Sequence, residues 1–200
     1  MRRMGIGSLI SKKGTRALGI AESYSGREQS VLCGVSMRKD RNIDGVRFSS
    51  VSVGGLDATC SVISLVLDFG RRDINVLMLG GCVLSWFNIV DLEEVARVTE
   101  IPVICVTYED SEGLLPDLMH HFPNDEYRLS LYRRLGERTP VCLKTGKTIF
   151  IRPFGIPVRE AGMLCDQFTN DGRMPEPIRV ARLTARGFMR YRNGSIPPNR

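Results

Sequence analysis

The change of periodicity at residue 57 constrains this chain more than any other feature. Before it, residues 16–23 (RALGIAES), 31–38 (VLCGVSMR) and 46–53 (VRFSSVSV) read as strands, the last with an imperfect alternation of Val46, Phe48 and Ser50 against Arg47, Ser49 and Val51. The turn SYSGREQS and the loop RKDRNIDG join them, and strands so close in sequence pair as an antiparallel meander. After it, Asp57-Ala58-Thr59 offers N-cap residues to CSVISLVLDF, where Val62, Leu65, Val66 and Phe69 recur at helical spacing until Gly70. Residues 75–79 form the next strand, Asp91 caps the helix LEEVARVT, and Ile101-Pro102 opens the strand VICVTY. Strand and helix then alternate, so the later strands are expected to run parallel with right-handed crossovers. Further on, residues 114–122 and 126–136 read as short helices, TIFIR as the last strand, and residues 159–169 and 174–192 as amphipathic helices. Pro175 and Pro177 start the final helix and Asn193-Gly194 follows it.

A meander followed by parallel strands with crossover helices is the ribonuclease H-like layout, an α/β fold with a mixed sheet and helices on both faces. With 200 residues, 42% of them hydrophobic, one domain suffices. It is expected over residues 16–192, between a basic arm at 1–15 and a flexible tail at 193–200. The longest apolar runs, such as 62–67, fall far short of the ~20 residues of a membrane span. MRRMGIGSLISKK has only a broken apolar patch and fails as a secretory signal, so a cytoplasmic protein with no membrane partner is expected. The six cysteines lie 22 to 37 residues apart without a CxxC pair, and the adjacent His120 and His121 point in different directions on a helix. Neither pattern suits zinc.

Residues 76–91, VLMLGGCVLSWFNIVD, run as an apolar strand into Gly80-Gly81 and on to the only tryptophan, Trp86. Strand ends of this kind carry reactive side chains in α/β folds, yet nothing that ionises stands at this one. The net charge is +6, and arginine supplies 23 of the 28 basic residues. Guanidinium groups contact phosphate in a planar, bidentate fashion, so the excess suits a nucleic-acid partner; a solvated surface has the same composition.

Several motifs together resemble an archaeal family, number 99 of the domains of unknown function: GIAESYS (19–25), VGGLDAT (53–59), MLGGCVLSWFNIVD (78–91), the IPVICV strand (101–106) and RMPEPIRVARLTARG (173–187). That family is similar to endonuclease V, a metal-dependent nuclease acting at inosine. The motifs fall in order over nearly the whole chain. The resemblance implies an endonuclease V-like fold and carboxylates that hold divalent metal ions.

The sequence departs from that pattern where the resemblance would place metal ligands. Ala21 stands where the first strand carries the principal aspartate, Gly54 where the third-strand motif has the first of two aspartates, and Gly80 where the fourth-strand motif has another. Asp57 keeps the second third-strand aspartate, and Arg182 replaces an acid or histidine of the final helix. A cation there repels Mg²⁺.

Glu22 and Asp57 are the remaining candidate catalytic acids. Side chains alternate along a strand, which turns Glu22 away from the face of Ala21, and Asp57 and Asp91 each read equally as helix N-caps. Arg179, Arg182, Arg186 and Arg190 recur at steps of three, four and four, forming one stripe beside the apolar stripe of Ile178, Ala181 and Ala185. Such a stripe tracks a phosphate backbone or simply faces solvent. Tyr24 and Trp86, just past two strand ends, suit base stacking or rim packing. The reading is a nucleic-acid-binding pseudo-nuclease that needs no cofactor and is not expected to be an enzyme. The alternatives are a metal-dependent endonuclease on inosine-containing or structured nucleic acid, using Mg²⁺ or Mn²⁺ with relocated ligands, and a scaffold for an acidic protein partner.

Overall fold

The meander forms as read: β1 (Arg16–Ser23), β2 (Gln29–Arg38) and β3 (Ile43–Ser52) pair antiparallel in a computed structural model that describes residues 10–25 and 28–194. Residues 1–9 of the expected arm, 26–27 of the first turn and 195–200 of the expected tail lie outside the described residues. The described end of the arm packs on the domain. The Ile10 carbonyl accepts a hydrogen bond from Lys39 Nζ at 2.7 Å, and Thr15 is fully buried.

Helix α1 (Ala58–Asp68) leads to β4 (Val76–Leu79), which pairs parallel with β1 on its other side. The two-residue strands β5 (Val83–Leu84) and β6 (Asn88–Ile89) form a separate small hairpin. Then come α2 (Leu92–Thr99) and β7 (Val103–Thr107), parallel to β4. Two short helices follow, α3 (Leu115–His121) and α4 (Glu126–Arg134), and then β8 (Thr139–Cys142) and β9 (Thr148–Phe154). The chain closes with α5 (Val158–Phe168) and α6 (Glu176–Arg192).

The seven-stranded sheet has the order β3-β2-β1-β4-β7-β9-β8. β4 and β7 run parallel as expected, but the TIFIR strand does not: β9 lies antiparallel to both β7 and β8. The cause is a turn at residues 143–147, in which Leu143 N donates to the Lys147 carbonyl at 2.9 Å and Gly146 takes a left-handed φ of 75°. β8 therefore joins the edge first, and β9 returns between it and β7.

Both faces of the central strands are buried, which explains the nearly continuous apolar run of β1 and β2. Ala17, Ala21, Val76, Met78, Ile104 and Val106 pack with α5 and α6 on one side. Leu18, Ile20, Leu77, Leu79, Val103 and Cys105 pack with α1 and α2 on the other. In α6, Ile178, Ala181 and Ala185 are buried, as the stripe predicts, Met189 continues them, and full burial of a side chain as large as Ile178 contributes about 1.5–3 kcal/mol. Gly19 sets how closely α6 approaches β1. A Cβ there would overlap the Pro177 carbonyl, so the helix begins directly on the strand backbone.

Candidate functional site

The parallel strands β1, β4 and β7 end at one edge of the sheet, where Gly80 N donates to the Ile20 carbonyl at 2.9 Å and holds the two ends level. A cavity of about 640 Å³ opens there. Ala21, Gly80 and Arg182, which lie far apart in sequence, all line it. Gly54 does not; it sits in the turn after β3 with φ 66° and faces the Trp86 ring.

The carboxylates nearest the motifs are already engaged. Ala21 packs under α6, whereas Glu22 turns to the other side of β1 and accepts from Ser85 N at 3.0 Å and Ser85 Oγ at 2.6 Å. Ser85 Oγ also contacts Ser30 Oγ. Asp57 stands at the N-cap position of α1 but does not cap it: its backbone is helical (φ −98°, ψ 0°) and its side chain turns back to β3. It accepts from Ser52 N at 3.1 Å, Ser52 Oγ at 2.8 Å and Asn88 Nδ2 at 2.5 Å. The first N–H of the helix, that of Ala58, goes instead to Asn88 Oδ1 at 3.0 Å. Burial raises the Asp57 carboxyl, but the bonds from Asn88 and Ser52 outweigh it and hold the group below its ordinary range. Asp91 does cap α2, accepting from Glu93 N and Glu94 N at 3.1 and 3.2 Å.

The resemblance to endonuclease V implies divalent metal ions, and the residues of this cavity do not fit them. A methyl group, a glycine and a guanidinium stand at the three places, and among the described residues no three His, Cys, Asp or Glu side chains are grouped to hold a metal. The glycine is also filled in from behind. A Cβ on Gly80 would lie 2.8 Å from Ile178 Cγ2, and Ile178 is only 1% exposed. These side chains therefore supply no ligand set through which a metal-dependent step could run.

The cavity wall carries cations instead. Arg182 and Arg186 reach it from α6 without a hydrogen bond or ion pair to any described residue. They meet Arg138 and Arg152, which the spacing within α6 could not reveal. Arg152 donates to the Gly136 carbonyl at 2.9 Å and approaches Cys82 Sγ at 3.6 Å. Arg138 donates to the carbonyls of Glu109, at 3.1 Å, and Ser111, and lies 3.8 Å from Asp110. One signal for Arg152 is present in the sequence: Ile149 and Ile151 alternate with Phe150 and Arg152 along β9, which places Arg152 on the face opposite the two buried isoleucines. A hydrogen bond with Cys105 lowers the buried Cys82 thiol, against the upward push of burial, and the Arg152 charge lowers it further.

The predicted arginine stripe divides. Arg179 turns to Glu176, with Nε 2.9 Å from the carboxylate, while Arg190 is exposed beyond the cavity. Tyr24 lines the cavity and is 48% exposed. Trp86 sits elsewhere, 51% exposed, with its ring centroid 5.7 Å from that of His121 and 5.8 Å from that of Phe122.

Trp86 belongs to an unusual turn. Ser85, Trp86 and Phe87 all have positive φ, 40°, 57° and 63°, a left-handed run that costs roughly 1–2 kcal/mol per residue. Glu22 fixes one end through Ser85, and Gly54 N donates to the Ser85 carbonyl at 2.7 Å. Arg128, 3% exposed, clamps the other end: it donates to the carbonyls of Phe87, Gly54 at 2.9 Å and Gly55 at 3.0 Å, and pairs with Asp125 at 3.0 Å.

A mixed sheet of this order, with its cavity at the ends of the parallel strands beneath the last helix, defines a ribonuclease H-like fold of the endonuclease V type. Human endonuclease V shares the fold at a TM-score of 0.64 and 14% identity, over 93% of this chain and 90% of that one. A protein of unknown function from Archaeoglobus fulgidus superposes at a TM-score of 0.76 with 30% identity, over 87% and 98%. In sequence, a UPF0215 protein of Pyrobaculum calidifontis is 38% identical over 87% of this chain and 97% of its own length. The chain belongs to the endonuclease dU family, whose model matches residues 13–189.

Proposed function

We propose that this protein binds nucleic acid on the endonuclease V scaffold and does not cleave it by two-metal chemistry. The observation that carries this reading is one cavity in which Ala21, Gly80 and Arg182 stand where the resemblance would place ligands and arginines line the wall. Ala21 and Gly80 contribute no ligand, and Arg182 and Arg186 present guanidiniums at the same place that are unpaired among the described residues. Cations of this kind attract phosphate, at a cost in salt sensitivity that scales with the number of contacts. Endonuclease V of Ciona intestinalis, which shares the fold at a TM-score of 0.56, was solved with inosine-containing DNA, so the scaffold accommodates a strand in that protein.

Filter binding with single-stranded and structured RNA and DNA, from low to physiological salt, tests the proposal. Arg182→Ala and Arg186→Ala should each weaken binding and reduce the salt slope by about 1. Binding that is absent, or unchanged in both variants, sinks it. A second reading is favoured by membership of the endonuclease dU family: metal-dependent cleavage through Glu22 and Asp57. Incubating deoxyuridine- and inosine-containing strands with Mg²⁺ or Mn²⁺ decides between the two, since cleavage lost in Glu22→Gln and Asp57→Asn would establish the second.

A further inference from the structure

We infer that the cavity under α6 is built for a terminal phosphate, a phosphomonoester on a nucleotide or at a strand end, rather than for an internal phosphodiester. This rests on the nucleic-acid reading above and makes it specific. The first ground is charge. Four arginines, Arg138, Arg152, Arg182 and Arg186, and two glutamates, Glu22 and Glu109, line the cavity, a surplus of two positive charges among its residues. Asp110 approaches Arg138 from outside the wall, where its side chain is 82% exposed and water screens it. An internal phosphodiester brings a single negative charge, whereas a phosphomonoester brings about 1.5 to 2 near neutral pH. The surplus matches the second.

The second ground is the division of labour among the arginines. Arg138 and Arg152 are held by backbone carbonyls and so form a fixed wall. Arg182 and Arg186 have no such commitments among the described residues and are free to fork onto phosphate oxygens. The third ground is an unused donor. Tyr108 lines the same cavity, and its buried hydroxyl has no hydrogen-bond partner among the described residues. Burial raises its pKa, so it stays protonated and can donate. A volume of about 640 Å³ accepts one nucleotide, with Tyr24 exposed beside it for the base.

Fluorescence anisotropy on one oligonucleotide sequence, prepared with a 5′-phosphate, with a 3′-phosphate and with neither, tests the inference. The expected result is a preference of on the order of tenfold or more for one phosphorylated end, abolished in the double variant R182A/R186A and kept in R190A. Competition by a nucleoside monophosphate would identify a free nucleotide as a sufficient ligand; preference without such competition would identify a strand end. Both outcomes support a phosphomonoester site. Equal affinity for all three strands overturns the inference while leaving strand binding intact, and so does an equal loss of preference in R190A. Absence of binding to every strand would instead overturn the nucleic-acid reading itself.

Discussion

Asp57 and Asn88 each perform the task that local sequence assigns to the other type of position. Asp57 follows a strand and precedes a helix, yet its carboxylate ties β3 to the β6 hairpin while the amide oxygen of Asn88 serves the helix start. Asp57→Asn removes a charged acceptor from three hydrogen bonds and should cost about 2 kcal/mol in urea denaturation. The loss should depend on pH. Because the folded-state carboxyl is held below its ordinary value, its stabilisation is present above the unfolded-state value of about 3.9 and disappears as pH falls through the folded value. The variant should therefore differ from the parent at pH 7 and converge on it in strong acid. Nothing near residue 57 announces this, since Asn88 lies 31 positions away. Asp91 is legible because the N–H groups it accepts from, those of Glu93 and Glu94, belong to its own neighbours. Arg182 and Arg186 are legible through helical spacing, whereas Arg138 and Arg152 join them only through tertiary structure.

At the scale of elements, the meander and the alternating strands and helices can be read from periodicity, down to the start of β1 at Arg16 and the end of α6 at Arg192. The hairpin of β8 and β9 cannot. TPVC is four residues long with a proline and shows no clear alternation, so its pairing depends on the neighbouring edge rather than on its own pattern. The left-handed run Ser85–Phe87 is equally hidden, because no glycine marks it. Its conformation is imposed from outside, chiefly by Arg128, whose guanidinium reaches three carbonyls across two turns. Arg128→Ala should cost about 3–5 kcal/mol, removing the ion pair of Asp125, which keeps only the backbone N–H of residue 128, and leaving the carbonyls undersatisfied. Arg128→Lys should recover little, since an ammonium cannot span the same fork. Unfolding midpoints of the two variants check this, and a near-parental lysine variant would refute the clamp.

For the whole molecule, two apolar layers on either side of one sheet account for the cysteine pattern. Cys33, Cys82, Cys105 and Cys165 are buried, and Cys60 and Cys142 are exposed. Burial pushes the thiols of Cys33 and Cys165 up to about 12, which keeps them protonated and unreactive. A thiol-specific chromogenic reagent should thus modify Cys60 and Cys142 rapidly in the native protein and Cys33 and Cys165 only on unfolding. Rapid modification of Cys33 or Cys165 would contradict the packing.

The packing of Ile178 behind Gly80 makes the two positions interdependent. A side chain added at position 80 would bring its Cβ to 2.8 Å from Ile178 Cγ2, so the core opposes an acid there. Trimming Ile178 first opens a void worth about 2–5 kcal/mol, and adding the acid first forces an overlap of roughly 1–3 kcal/mol. Every single-step route crosses a less stable intermediate. The packed interior therefore disfavours an acid at position 80 as much as the arginines of the cavity wall disfavour a cation beside it.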